Sequence, residues 1–400
     1  MNLHSPSPYW LLRHGIINSY PSLTTDLKTE IAIMGAGISG ALIANQLCRS
    51  GYKVVIVDRR HAGMGSTAAS TSLLQYEIDT PLHQLIHLVG EKKAITSYHL
   101  CRQAIFDINK VCDQLKDPGL FSQKPSFQFA SYKKDVTNLN KEYTLRKQAG
   151  FAVQWLDEKN ILKKFGFAKP AGLLSRDGAE ADAYKITHGL LKKCISKGLQ
   201  VYDNTEIITV RHHKREIELI AANKKKIRAK KLIIACGYES QQYIPQKVQE
   251  LQATYAVASE PFAQKNFWYR NALIWETAMP YLYLRTTSDN RILMGGKDVL
   301  FSNPVKRDGL LTAKAKGLEQ SFAKLFPGIL FKTDFKWSGT FASTKDGLPY
   351  IGSISQRPNT YFALGFGGNG ITFSAIAANI LKDLLAGKKN KDSGIFSFDR

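Results

Sequence analysis

Four hundred residues, 44% of them hydrophobic and with ordinary glycine and proline content, are enough for a sizeable core divided over two domains, and exclude a fibrous or disordered chain. Fifty-five basic against 33 acidic residues give a formal net charge of +22. The excess is dispersed as short clusters such as Lys133-Lys134, Lys224 to Lys226 and Lys388-Lys389, which reads as a solvated face rather than a polyanion groove.

No zinc-finger, RNA-recognition or helix-turn-helix pattern accompanies that charge, so nucleic acid is not indicated; peripheral contact with a membrane surface stays open. No apolar stretch reaches the roughly 18 residues of a membrane span. The first 15 residues do not read as a secretory signal. Five scattered cysteines without a Cys-x-x-Cys pair suit buried thiols in a reducing cytoplasm.

In chain order, residues 1–28 are rich in Ser, Pro and Tyr and read as an arm that packs on the body or frays. Glu30 to Met34 is a short apolar run expected to be a buried strand. Gly35-Ala36-Gly37-Ile38-Ser39-Gly40 follows, opening a helix from Ala41 to Arg49, and Lys53 to Asp58 is a second buried strand. Helix is expected from about Leu82 to Leu115. A clear amphipathic helix from Ala183 to Lys197 has Ile186, Leu190, Leu191 and Cys194 on one face. Alternation from Val201 to Leu219 predicts a small sheet ending in Leu232 to Ala235. Residues 245–335 read mostly as strands, Tyr281 to Leu284 among them, with one helix near Leu311 to Leu325. A glycine cluster, Gly365 to Gly370, precedes a closing helix near Ile371 to Leu385.

The strand–glycine–helix–strand–acid unit from Glu30 to Asp58 is a dinucleotide-binding signature. Gly35 permits the tight turn, Gly37 lets backbone approach a pyrophosphate, and Gly40 lets helix pack on strand. The pyrophosphate then sits on the helix N-terminus, and Asp58 accepts from a ribose hydroxyl. Two further features favour FAD over NAD. One is the hydroxyl-rich loop Arg59 to Thr71, containing Gly65-Ser66-Thr67. The other is the second glycine-rich helix start at Gly365 to Gly370, suited to a reduced flavin edge that gathers negative charge.

These motifs, with Ala235-Cys236-Gly237 and Asp346-Gly347-Leu348-Pro349-Tyr350-Ile351-Gly352, occur in one order over almost the whole chain. In this the sequence resembles the D-amino-acid oxidase superfamily of FAD enzymes, in the branch of glycine, sarcosine and gamma-glutamylputrescine oxidases. The resemblance implies an α/β protein with an α+β substrate part. A Rossmann-type FAD-binding domain (29–82, 180–245, 336–400) carries a mixed-sheet substrate domain (83–179, 246–335), both discontinuous in sequence. It implies FAD contacts from Gly35 to Gly40, Asp58, Arg59, Gly65, Ser66, Thr67, the Ile207 backbone, Ala235 and Gly237. Gly367, Gly368, Asn369, Gly370, Ile371 and Thr372 would lie by the flavin. No cysteine follows Cys236 in the segment where covalent-flavin members carry one, so the resemblance implies non-covalent FAD.

Phe341 stands where many of these oxidases place an arginine that pairs with a substrate carboxylate. That leaves another cation to do so, or an amine substrate without an α-carboxylate. Tyr281, Tyr283 and Arg285 alternate along one expected strand and share a face, making Tyr283 and Arg285 substrate-side candidates, with a surface salt bridge the other reading of Arg285. Tyr255 lies where the resemblance implies substrate-facing residues, with a packed core tyrosine the other reading. Tyr283, Arg285 and Lys345 are the candidate catalytic groups, Lys345 either stabilising the flavin O2 edge or merely solvated, and no metal site is expected: His83 and His87 share helical spacing without a third ligand. The expected reaction is C–N oxidation of an amine or amino acid by hydride transfer to flavin N5, with O2 or a quinone as acceptor. Oxidation of a hydroxy acid or glycerol phosphate, tRNA modification, and a non-catalytic FAD scaffold are the rival readings.

Overall fold

The computed structural model of the chain describes residues 2–264 and 266–400. Its first sheet has five parallel strands in the order Thr360–Leu364, Lys226–Ile234, Leu27–Met34, Val54–Val57, Gln200–Tyr202. Tyr350–Ser353 adds antiparallel at one edge, and the hairpin Ile207–His212/Ile217–Ala221 joins Lys226–Ile234. In the three central strands, residues 31–34, Val54–Val57 and residues 232–234 are apolar and buried on both faces, as a parallel sheet between helices requires. Helix Ile38–Arg49 covers one face together with Ala183–Ile195 and Gly370–Leu385.

Register positions the site. Met34 pairs with Val57 and with Ile234, so Gly35, Asp58 and Ala235 leave the sheet side by side at its carboxyl edge. In an open parallel sheet that edge is where ligands bind.

The second sheet has nine strands. Its path is Thr333–Ser343, Glu250–Ser259, Ile292–Leu300, Tyr283–Thr286, Leu273–Glu276, Phe121–Phe129, Ala171–Ala181, Leu73–Leu74, with Val153–Asp157 also on Ala171–Ala181. Neighbours are antiparallel except Leu273–Glu276 with Phe121–Phe129. Helix Leu311–Leu325 seals the outer face, packing Ala315, Leu318 and Phe322 against Tyr255, Val257 and Met294. The inner face looks onto the carboxyl edge of the first sheet.

Sheet membership departs from the expected segments at three strands, two of which cross a segment edge. Leu73–Leu74, Ala171–Ala181 and Thr333–Ser343 all belong to the second sheet, the last spanning residues 335 and 336 because it pairs along the length of Glu250–Ser259. The expected helix 82–115 is two helices, Leu82–Val89 and Glu91–Leu115, parted at Gly90. The strand expected from Tyr281 begins at Tyr283.

The arm packs on the body. His4 bridges to Gly339, Leu3 O accepts from Thr340 N at 2.9 Å and Ser5 N donates to Ser338 O at 3.1 Å, so residues 3–5 extend the second sheet at its edge. Helix Tyr9–His14 then buries Tyr9 and Trp10 against Trp337, Tyr184 and Leu293, and Trp10 Nε1 donates to Ser70 O at 2.6 Å. Leu23 N reaches Thr205 Oγ1 at 3.0 Å on the first sheet. Burial of the Tyr9 and Trp10 rings, not the polar composition, fixes the arm.

Candidate active site

One cavity of about 600 Å³ runs between the two sheets. Its first end is the Rossmann edge, lined by Gly35, Gly37, Ile38, Ser39 and Asp58, with Gly65, Ser66 and Thr67 opposite. The local chain geometry follows from the glycines. Gly35 has φ +106°, and a Cβ on Gly40 would stand 1.9 Å from the Gly35 carbonyl oxygen, so the helix opens directly against the turn. Thr67 Oγ1 accepts from Ile38 N at 3.0 Å, tying the loop to the first turn of the helix. Ser39 and Ser374 hydroxyls share a 2.7 Å hydrogen bond that joins the two helix starts.

Asp58 holds this end together. Its carboxylate accepts from Ala36 N at 2.8 Å and Arg60 N at 2.9 Å, and burial raises its pKa. Arg59 and Arg60 both pair with Glu239. Ile207, Ala235 and Gly237 complete the lining here. The residues fit a dinucleotide: the Ser66 hydroxyl is shut from solvent with no hydrogen-bond partner among the described residues, beside a helix N-terminus whose N-cap, Gly37, offers no side chain. A phosphate oxygen satisfies both.

At the other end the glycine turn Gly367 to Gly370 and Ile371 line the cavity, and Asn369 Nδ2 donates to Glu77 O at 2.8 Å, fastening the turn to residues 75–79. Asp79 lies across it, accepting from Gly368 N at 2.7 Å and from Tyr281 Oη at 2.9 Å. Burial raises the Asp79 pKa. Tyr283, Trp275, Thr254 and Asp298 come from the inner face of the second sheet, and Phe341 from its edge strand.

Several expected residues do not line the cavity. Tyr255 is fully buried on the outer face, where Lys314 sits 5.5 Å from its ring centre; the neighbouring Thr254 is the one that faces inward. Arg285 alternates with Tyr283 but lies behind Trp10 of the arm, 5.5 Å from that ring and 3.8 Å from Glu180. Lys345 is exposed and donates to the Arg400 carbonyl at 3.3 Å. Its neighbour Asp346 clamps Arg400 at 2.8 Å, so the Asp346 to Gly352 motif anchors the chain terminus. Ala36, Gly40 and Thr372 stand one layer back, the Thr372 hydroxyl bonding Asn369 O at 2.9 Å. His83 bonds Glu142 at 2.7 Å, and no group of three metal-ligating residues occurs among the described residues.

Asp79, Asp298, Tyr238 and Trp275 were not singled out from the sequence. The one local signal was Gly295-Gly296: a Cβ on Gly295 would overlap the Tyr283 ring at 2.3 Å, so this glycine exists to seat that tyrosine.

The fold and the cavity define a two-sheet dinucleotide flavoprotein. A sequence profile of the FAD dependent oxidoreductase family (DAO) matches residues 30–384, and the chain belongs to that family. The glycine oxidase of Geobacillus kaustophilus is 24% identical over 93% of this chain and 97% of its own. Its crystal structure superposes with a TM-score of 0.81 at 20% identity, covering 93% of this chain and 99% of that one. The gamma-glutamylputrescine oxidoreductase of Escherichia coli is 21% identical over 92% of this chain and 86% of its length. A putative Rieske 2Fe-2S iron-sulfur protein of Bacillus subtilis is 24% identical over 99% of this chain and 76% of its own. The protein is therefore an FAD-dependent oxidoreductase. No helix among the described residues is long and apolar enough to cross a membrane.

Proposed function

We propose that the protein oxidises the C–N bond of an amine that lacks an α-carboxylate beside the reacting carbon. The observation that carries this is the charge of the cavity. Among the described residues the only lysines or arginines lining it are Arg59 and Arg60, at the Asp58 end and paired with Glu239. The glycine-turn end offers Asp79, Asp298, Tyr281, Tyr283 and Phe341. A carboxylate or phosphate brought there would be desolvated without a counter-charge, which costs several kcal/mol. The same argument weighs against hydroxy-acid or glycerol-phosphate substrates. The lysine clusters of the surface take no part in the lining, which weighs against tRNA.

Gly35, Gly37, Ser66, Thr67 and Asp58 would hold the dinucleotide, and Gly367 to Ile371 the flavin edge. Bound FAD would supply the two-electron acceptor for a hydride. The chain supplies orientation and water exclusion: Tyr281 and Tyr283 wall the substrate in, and Asp79 holds Tyr281 against the glycine turn. The α-carbon gives up hydrogen with its electron pair, C–N becomes C=N, and water then cleaves the imine to a carbonyl compound and ammonia or a smaller amine. An amine bound as its free base needs no further general base.

The test is anaerobic bleaching of the purified holoenzyme's flavin by alkylamines, N-methyl amines, D- and L-amino acids and hydroxy acids. Bleaching by amines is expected, with α-amino and hydroxy acids slower by about 100-fold, the size of one desolvated unpaired charge. Bleaching by hydroxy acids alone sinks the reading. Peroxide formed on readmitting air would identify oxygen as acceptor, and its absence would leave the quinone.

A further inference from the structure

We infer that the substrate carries a second, cationic group, seated on Asp298 between Tyr283 and Tyr281: a diamine or polyamine rather than a simple amine. This rests on the amine reading above and narrows it.

Three observations meet at one place. Asp298 lines the cavity, and its Oδ1 is shut from solvent with no hydrogen-bond partner among the described residues. A buried carboxylate oxygen left unmatched costs about 1–3 kcal/mol and is rare unless something completes it. Next, the rings of Tyr281 and Tyr283 lie 5.9 Å apart and Trp275 meets Tyr281 edge-on at 6.2 Å, an aromatic wall of the kind that favours ammonium groups. Finally, no lysine or arginine among the described residues lines this end. Lys314 influences Asp298 from the outer side, but its ammonium donates to Lys297 O at 2.8 Å and does not line the cavity. Glu77 also reaches the lining, but its charge is answered by Arg146 at 3.6 Å.

The two carboxylates differ in engagement. Asp79 already accepts from Gly368 N and Tyr281 Oη and sits at the glycine turn. Asp298 lies on the strand Ile292–Leu300, and its open oxygen is the one that asks for a donor. An ammonium with three donors on a flexible methylene chain matches it, and the chain lies along the tyrosines. Burial raises the Asp298 pKa to about 6, with Asp79 adding to the rise and Thr254 and Lys314 opposing it. An arriving cation would pull that value back down.

The experiment compares α,ω-diaminoalkanes with n-alkylamines of equal carbon count, as anaerobic flavin reduction and as ligand-induced thermal stabilisation of the holoenzyme. The expected ratio of reduction efficiency is about tenfold or more in favour of the diamine, the value of one charge-assisted hydrogen bond. In Asp298→Asn the ratio collapses toward one while FAD content is retained, and Asp298→Glu keeps part of it. Equal reduction by both series, or an Asp298→Asn variant that keeps the full preference, overturns the inference and leaves the amine reading standing. Failure of both series to reduce the flavin overturns the amine reading and this inference with it.

Discussion

Gly37→Val is expected to fold and to purify without FAD. Gly37 has φ −81°, which valine adopts freely, so the backbone itself does not forbid the change. A Cβ there would stand 3.0 Å from Thr67 Oγ1, a side-chain atom that can move. Its movement gives up the bond to Ile38 N and closes the path to the helix N-terminus. Two charge-assisted hydrogen bonds lost to a pyrophosphate, each about 1.5–3 kcal/mol, weaken FAD by roughly 10²–10⁴-fold. Gly40→Val makes the contrast. Its Cβ would meet backbone oxygen at 1.9 Å, strand and helix must part, and the fold fails with the cofactor. The measurement is flavin absorbance per polypeptide alongside circular dichroism. A Gly37→Val protein with full FAD content would place the dinucleotide elsewhere.

That contrast also marks what a sequence can disclose. The turn from Gly35 to Gly40 is legible because its causes are local: glycines needed within six residues of one another, between runs that must be buried strands. The glycine turn at Gly365 to Gly370 is equally local. Asp79 and Asp298 were illegible because neither neighbourhood in sequence marks them. Their meeting depends on residues 75–79 being fastened by Asn369 and on the order of strands in the second sheet. At Tyr255 the packed-core reading fits and the substrate-facing one does not: Thr254 faces the cavity, because one residue along a strand exchanges its faces. At Arg285 the strand parity placed it beside Tyr283, yet Trp10, from the far end of the chain, stands over it. Local periodicity carries no information about a ring contributed from 275 residues away.

Arg146→Met is expected to destabilise the protein by about 3–5 kcal/mol, the cost of removing one partner from a buried ionic network. Arg146 is 1% exposed on helix Val136–Gln148. Its guanidinium donates to Glu142 at 2.8 and 3.0 Å and to Gln128 at 3.3 Å, and stands 3.6 Å from Glu77. Methionine fills most of the volume and leaves two buried carboxylates without their cation. Neutralising all three, with Glu142→Gln and Glu77→Gln added, should recover most of the loss, because the penalty lies in uncompensated charge. The pH dependence separates this from a packing defect. Burial alone would raise Glu142, but Arg146 and the two bonds from His83 outweigh it and bring the pKa down to about 2. A carboxylate depressed in the folded state contributes stability that is complete above its unfolded value, about 4.3, and fades as pH falls toward about 2. Arg146→Met loses that contribution at the outset, so the gap between wild type and variant, read from urea midpoints, should narrow as pH drops through that window. A gap that stays constant with pH would assign the loss to packing. Because Glu77 borders the cavity, the variant also tests the floor of the site: with its counter-charge gone, Glu77 is pushed toward the neutral form. A neutral Glu77 adds no charge to the cavity, so FAD content and diamine binding should be unchanged, whereas a network that props the floor of the site would loosen FAD as well.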